Sequence, residues 1–214
     1  MRRPVLLAGL AVLLAGGIIA LLWGVYAPSR PDSAGSHMAG LSPAARQAVI
    51  LPGQDLGGPF HLVDHLGRPV SDADFRGRFL LVNFGYTFCP DVCPTTLVDI
   101  AGALRLLGPA ADDLAPLFIT VDPARDTPAH LATYVALFHP DLIGLTGDAA
   151  AIAEAARGYR VFYARHDDDE ASDYLMDHSA FTYLVGPDGR VRLVLRFGTP
   201  PEVMAEIVRW ALAA

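Results

Sequence analysis

The chain has 214 residues, which is enough for one domain with a sizeable core and an additional segment. Its 16 basic residues are all arginine and stand against 23 acidic residues, so the formal net charge is −7 at pH 7. An acidic chain without a basic run is a poor candidate for nucleic-acid binding, and we predict no nucleic-acid partner.

The N-terminal segment is typical of a membrane anchor. From Val5 to Tyr26 the sequence is apolar or small and carries no charge. A helix at about 1.5 Å per residue would cross the roughly 30 Å hydrocarbon core of a bilayer over this length. A cleaved signal peptide is the alternative, but its apolar region normally has only about 7–15 residues. We therefore predict a transmembrane helix over residues 5–26, with residues 1–4, including Arg2 and Arg3, in the cytoplasm and the rest exported.

Two further segments follow the predicted anchor. Residues 27–52 are rich in Pro, Ser, Ala and Gly and show no sustained pattern, which predicts a flexible linker. The folded domain is expected to cover residues 53–214.

Strand and helix patterns alternate in the predicted domain. Short apolar runs bounded by turn residues indicate strands over 60–64, 67–70, 79–84, 114–121, 142–146, 161–164, 179–185 and 191–195. Apolar residues at helical spacing indicate helices over 94–107, 128–138, 148–157 and 201–213. Thr127 and Asp148 are suited to N-cap two of them. This order predicts an α/β fold with a thioredoxin-like central sheet and flanking helices, preceded by the single transmembrane helix.

The only two cysteines of the chain, Cys89 and Cys93, lie where a predicted strand ends and a helix begins. Unpaired N–H groups at a helix N-terminus lower the pKa of a thiol, so the position favours reactive sulfurs. A disulfide across so short a loop removes little chain entropy, and a structural bridge is therefore the least suited function. Three residues separate the cysteines, whereas the thioredoxin redox motif has two. A redox pair and a site for a soft metal such as Cu(I), Zn or Fe–S both remain open.

A metal site needs at least a third ligand, and His178 differs from the other six histidines. It directly precedes the predicted strand 179–185, which a thioredoxin-like sheet places beside the strand that leads into the cysteines. Ordinary thioredoxins have a cis-proline in the loop before that strand, which keeps metals from the sulfurs. This chain has no proline between Pro140 and Pro187.

Three other residues near these segments invite a functional interpretation. The thioether of Met176 is soft enough for copper, but a packing role is the more common one. Asp122 and Asp126 flank a turn at the end of a strand, where helix capping and loop ordering explain them.

Four ordered segments resemble the SCO/SenC family, and the resemblance extends from about Gly53 to the C-terminus. The segments are Gly-Tyr-Thr-Phe-Cys-Pro-Asp-Val-Cys-Pro at 85–94, Val-Asp-Pro-Ala-Arg-Asp-Thr-Pro at 121–128, Asp-Tyr-Leu-Met-Asp-His-Ser at 173–179 and Tyr-Leu-Val-Gly-Pro-Asp-Gly at 183–189. This family consists of thioredoxin-fold copper proteins that help to assemble the binuclear copper (CuA) site of cytochrome c oxidase. The resemblance implies that Cys89, Cys93 and His178 bind one copper ion, Cu+ or Cu2+, per domain.

The resemblance predicts a membrane-tethered metallochaperone that delivers copper to the CuA site. The expected partner is the copper-accepting subunit of cytochrome c oxidase or another copper chaperone. The expected location is the bacterial inner membrane, with a single-pass anchor and the domain facing the periplasm or the equivalent extracytoplasmic side. The alternative is an extracytoplasmic thiol-disulfide oxidoreductase, in which Cys89 and Cys93 are a redox-active pair that reduces acceptor cysteines. That enzyme would not depend on His178, so the histidine distinguishes the two hypotheses.

Overall fold

The domain is built on one mixed β-sheet. The computed structural model describes residues 38–52, 56–166 and 174–213, and those from Gly40 onward belong to one compact unit. The strands in these ranges are β1 (Val49–Ile50), β2 (His61–Asp64), β3 (Pro69–Ser71), β4 (Phe79–Gly85), β5 (Leu114–Thr120), β6 (Ile143–Thr146), β7 (Tyr163–His166), β8 (Leu175–His178), β9 (Thr182–Val185) and β10 (Val191–Leu195). The helices are α1 (Pro43–Ala48), α2 (Val92–Leu107), α3 (Pro128–Val135), α4 (Ala149–Gly158) and α5 (Pro201–Leu212).

Strand order places β4 and β5 in the middle of the sheet. The order is β1-β10-β9-β4-β5-β6-β2-β3, with β4 parallel to β5, β5 parallel to β6, and β9 antiparallel to β4. Every residue of β5 and all but the first of β4 are buried, because both faces of these strands are covered. On one face Leu80, Val82 and Phe84 belong to a single apolar cluster with Ile152 and Ala155 of α4. The carboxyl ends of β4 and β5 therefore lie side by side on a rigid support.

The predicted thioredoxin-like α/β arrangement is confirmed, including the strand before the cysteines and the last two strands, β9 and β10, which pair as an antiparallel hairpin. Thr127 accepts a hydrogen bond from the backbone N–H of His130 and caps α3, and Asp148 caps α4 in the same way through Ala151. Both caps were expected because Thr and Asp side chains satisfy free N–H groups in the first turn. The helix predicted to reach residue 138 ends at Val135.

The folded part begins earlier than residue 53, the start expected from the sequence. α1 starts at Pro43, and β1 pairs with β10 through Val49 and Leu195. Leu41 is 2% exposed, and the backbone N–H of Ser42 donates to the carboxylate of Glu206 in α5. The predicted linker 27–52 is thus too long at its C-terminal end. Pro, Ser and Ala dominate the segment, so its few apolar residues gave no visible period.

His178 also lies in a different element from the one expected. It ends β8, which pairs with β7 in a separate two-stranded ribbon, and the strand beside β4 starts later, at Thr182. The backbone N–H of Ser179 donates to the carbonyl of Phe162 at 2.9 Å and ends the ribbon. The residue still precedes the strand next to β4, so it still faces the cysteine loop.

The predicted anchor at residues 5–26 lies outside the described residues. Within the described ranges, no helix combines the length and the apolar character needed to cross a bilayer.

Candidate metal centre

The two cysteines occupy the connection between β4 and α2. Cys89 lies in the loop and is partly exposed, whereas Cys93 is the second residue of α2 and is 1% exposed. The helix begins at Val92, two residues before Pro94, the expected first position. Proline is tolerated at the third helical position because the N–H groups of the first turn have no intrahelical partner. The backbone N–H of Cys93 points at the sulfur of Cys89, 3.3 Å away, so the helix N-terminus faces this sulfur.

Gly85 makes room for the buried sulfur. A Cβ at this position would lie 2.7 Å from Cys93 Sγ and 2.8 Å from Phe118 Cε2. Cys93 can therefore pack against the last residue of β4 only because that residue lacks a side chain. This places the sulfur directly under the carboxyl end of the central strand.

The ring of His178 reaches this sulfur from the ribbon. Its Nε2 lies 3.1 Å from Cys93 Sγ, and its Nδ1 lies 3.1 Å from the carbonyl oxygen of Ser179. A carbonyl only accepts hydrogen bonds, so Nδ1 carries the ring hydrogen and the lone pair of Nε2 faces the cysteines. Tyr86 packs edge-on against the ring at 5.9 Å between centroids and fixes its orientation.

The two sulfurs differ in their protonation. A hydrogen bond from the Cys93 side chain, together with the backbone N–H groups of Cys93 and Asp91, outweighs burial and lowers the pKa of Cys89 to about 4. The same bond to the Cys89 thiolate, together with burial, raises the pKa of Cys93 well above its usual range. The pair therefore holds one thiolate and one thiol at neutral pH. Cys93 has one hydrogen for two acceptors, the Cys89 sulfur and His178 Nε2, so this cluster of lone pairs is suited to a cation.

The structure brings all three predicted site residues together. The sulfurs of Cys89 and Cys93 and a ring nitrogen of His178 all lie within 4.8 Å of one another. No other group of three or more Cys, His, Asp or Glu side chains in the described parts of the chain is arranged in this way. Two soft sulfurs and an imidazole fit copper or zinc better than a hard ion such as magnesium or calcium.

The aspartates at the end of β5 order the loops around the centre. Asp126 is 0% exposed and accepts hydrogen bonds from the N–H and hydroxyl of Thr87 and from the hydroxyl of Thr120. Burial raises the pKa of the Asp126 carboxyl. Asp122 accepts from Arg125 and from the hydroxyl of Tyr174. The expected loop-ordering function of these residues agrees with the contacts.

Met176 packs against the apolar core and hydrogen bonds through its backbone to the hydroxyl of Tyr86. These contacts fit the packing role expected for it. The acidic stretch at 167–170, a charge run typical of a solvated loop, lies outside the described residues.

Arg125 and Tyr174 are the residues beside the centre that the sequence patterns did not identify. The guanidinium of Arg125 lies over the rings of Tyr174 and Phe88, at 3.7 and 4.5 Å from the centroids. A usable signal was present, because Arg125 follows β5 at the edge of the sheet where the parallel strand β4 ends in the cysteine loop.

Comparisons with known proteins identify one family. The sequence model of the SCO1/SenC family matches residues 49–213 of this chain. The mitochondrial SCO2 homologue of Bos taurus is 46% identical over 173 residues, which are 80% of this chain and 63% of the bovine protein. This chain thus spans less than two thirds of the length of that relative.

Solved structures of similar proteins include copper-bound ScoI of Bradyrhizobium japonicum, with 43% identity, a TM-score of 0.68 and coverage of 72% of this chain and 98% of that one. A second is BsSco, a member of the Sco family of cytochrome c oxidase assembly proteins in which a disulfide switch was identified. BsSco is 25% identical, with a TM-score of 0.58 and coverage of 77% of this chain and 96% of that one.

Proposed function

This chain belongs to the SCO1/SenC family, and we propose that it binds one copper ion per domain and acts as a metallochaperone in the assembly of cytochrome c oxidase. The observation that carries the proposal is the convergence of the Cys89 and Cys93 sulfurs and a His178 ring nitrogen within 4.8 Å. The copper bound to ScoI of Bradyrhizobium japonicum and the description of BsSco as an oxidase assembly protein support it.

The donor set suits an ion that is carried and then released. Copper binding releases the hydrogen of Cys93; the resulting two thiolates favour Cu(I), and an imidazole added to them also accommodates Cu(II). Cys89 is the more exposed sulfur, so a thiol of the acceptor can displace it first, while the buried Cys93 is displaced last. Two-electron oxidation of Cys89 and Cys93 to a disulfide would remove both thiolates and with them the affinity for copper.

We propose the location and the acceptor from the sequence. The uncharged run 5–26 supports a single-pass anchor in the bacterial inner membrane, with the domain on the periplasmic side. The proposed acceptor is the CuA subunit of the oxidase or a second copper chaperone. Fractionation of cells that express the full chain, with and without residues 1–39, tests the anchor. The full chain should remain in membranes washed at high salt and be cleaved by protease added to the periplasm.

Copper stoichiometry of the reduced domain under anaerobic conditions tests the site. Residues 40–214 should bind about one copper per chain, and the Cu(II) form should show a thiolate-to-copper charge-transfer band. His178→Ala should lose the band and bind copper at least about 10-fold more weakly. His139→Ala is a matched control, because it removes an imidazole that faces Asp141 instead of the cysteines. A parent that binds no copper, or a His178→Ala variant that binds like the parent, would overturn the proposal.

A thiol-disulfide reductase is the second candidate, and the unequal pair of cysteines favours it. Cys89 is a partly exposed thiolate, and Cys93 is a buried thiol directly behind it. Cys89 would attack an acceptor disulfide and release one thiolate; Cys93 would then attack the mixed disulfide, so the acceptor gains two electrons and this chain forms one disulfide. The test is the reduction of an aromatic disulfide reagent by His178→Ala. If this variant still reduces the reagent but no longer binds copper, the result would favour this candidate over copper delivery.

A further inference from the structure

We propose that Arg125 is a positioning residue that holds the strand carrying His178 against the cysteine loop, and so sets the distance between the histidine and the sulfurs. The inference rests on the proposed copper site. It concerns a residue outside the three proposed ligands.

The strand β8 needs such an attachment. Its ladder partner is β7, and the two form a ribbon separate from the eight-stranded sheet that supports the cysteines. The ribbon that carries the histidine and the sheet that supports the cysteines are therefore two bodies, each with its own ladder of backbone hydrogen bonds. The distance between Cys93 and His178 is therefore set by the short link 179–181 to β9 and by side-chain contacts between these bodies.

Arg125 contacts both bodies at once. Its Nη1 donates to the carbonyl of Tyr174 at 3.0 Å, and its guanidinium lies 3.7 Å from the centroid of the Tyr174 ring. The same guanidinium lies 4.5 Å from the centroid of Phe88, the residue next to Cys89. One flat cation thus lies against one aromatic ring from the ribbon segment and another from the cysteine loop.

The support of Arg125 is itself rigid. Its Nε donates to the carboxylate of Asp122, whose other oxygen accepts from the hydroxyl of Tyr174 at 2.7 Å. Asp122 is 3% exposed, and the side chain of Arg125 is 14% exposed. A buried ion pair of this kind keeps one geometry, because its groups are held by several bonds and have little room.

Planarity of the side chain is essential to this arrangement. A guanidinium is planar, so it can stack flat on two rings while its fixed N–H groups donate in two directions, whereas the ammonium group of lysine is a compact charge without a flat face to stack. The positive charge alone would act in the opposite direction, since a cation next to the centre repels copper. Positioning and charge therefore predict opposite changes in affinity when the arginine is removed.

Competition with a chromophoric Cu(I) chelator tests the inference on residues 40–214. Arg125→Ala should bind Cu(I) about 10- to 100-fold more weakly, which is the usual effect of removing a group that orients a ligand. Arg125→Lys should lose nearly as much. Arg192→Ala is the control. Arg192 is a half-exposed arginine in β10, beside the end of β9 that pairs with the start of β4, away from the cysteines.

A double-mutant cycle shows whether Arg125 acts through the histidine. In a His178→Ala background, Arg125→Ala should cause less than about a twofold further loss, because two residues that act as a unit are not additive. In the metal-free protein, amide hydrogens of β8 should exchange about 10-fold faster in Arg125→Ala, with those of β9 unchanged. This second measurement needs no copper.

Three results would overturn the inference. The first is an Arg125→Lys variant that binds Cu(I) like the parent. The second is a Cu(I) affinity that is unchanged or raised in Arg125→Ala. The third is a loss of affinity on Arg125→Ala that is the same with and without His178. If the alanine variant does not fold, the lysine variant decides between stacking and charge. A parent that binds no copper contradicts the proposed function, whereas a parent that binds copper and an alanine variant that matches it contradict only the positioning role.

Discussion

Replacing Gly85 with alanine tests the geometry of the centre most directly. The added Cβ would lie 2.7 Å from Cys93 Sγ and 2.8 Å from Phe118 Cε2. Ordinary contacts between such atoms are about 3.5–4.0 Å, so a neighbour must move by about 1 Å. Cys93 is 1% exposed and Phe118 is 0% exposed, so neither has free space to move into.

The cost follows from this overpacking. One extra methyl group in a closed core destabilises by about 1–3 kcal/mol. For a domain of this size each kcal/mol lowers the melting temperature by about 2–4 °C, so Gly85→Ala should melt about 2–12 °C below the parent. Displacement of the sulfur by about 1 Å should also weaken copper binding by about 10-fold or more, because ligands tolerate errors of only about 0.5 Å.

Thermal unfolding of the metal-free domain and a copper competition assay measure the two effects. Gly58→Ala is the matched control, because the nearest atom to its added Cβ, Gly158 Cα, lies 3.8 Å away. The control should unfold within about 0.5 kcal/mol of the parent. A Gly85→Ala protein that melts with the parent and binds copper equally well would refute the packing of Cys93 under β4.

Three further predictions concern protonation and the domain boundary. Because the pKa of Cys89 is lowered to about 4, iodoacetamide should modify Cys89 and not Cys93 at pH 6, as detected by mass spectrometry. Labelling of Cys89 that begins only above pH 8 would contradict this. The pKa of Asp126 is raised above its ordinary 3.8, so its contribution to stability is complete below pH 3.8 and is lost as the pH rises through the folded-state pKa. The stability advantage of the parent over Asp126→Asn in urea unfolding should therefore shrink with pH over that window, and an advantage that grows would show the opposite sign. Finally, a chain that starts at residue 53 should be about 3 kcal/mol less stable than one that starts at residue 40, since it loses β1 and the burial of Leu41. Equal melting temperatures of the two chains would contradict the docking of residues 40–52.

The sequence alone determined the features that depend on neighbours along the chain. Periodicity located the strands around the cysteines, and Thr127 and Asp148 marked helix starts because a cap acts on N–H groups three residues away. The placement of Cys89 and Cys93 at a strand-to-helix junction followed from the same local signals. His178 was identified from its place before a strand and, with greater force, from the family resemblance.

Only the tertiary structure decided which distant side chains surround the centre. Arg125 and Tyr174 are 49 positions apart, and their contact arises because β5 ends beside β4 and the ribbon folds over that edge. The docking of α1 and β1 also escaped prediction, since two strand residues stabilised by pairing with β10 leave no period in the sequence. Local patterns record the bonds that a segment makes with itself, whereas the metal centre and its support are made by bonds between segments, which the chain brings together only when the sheet forms.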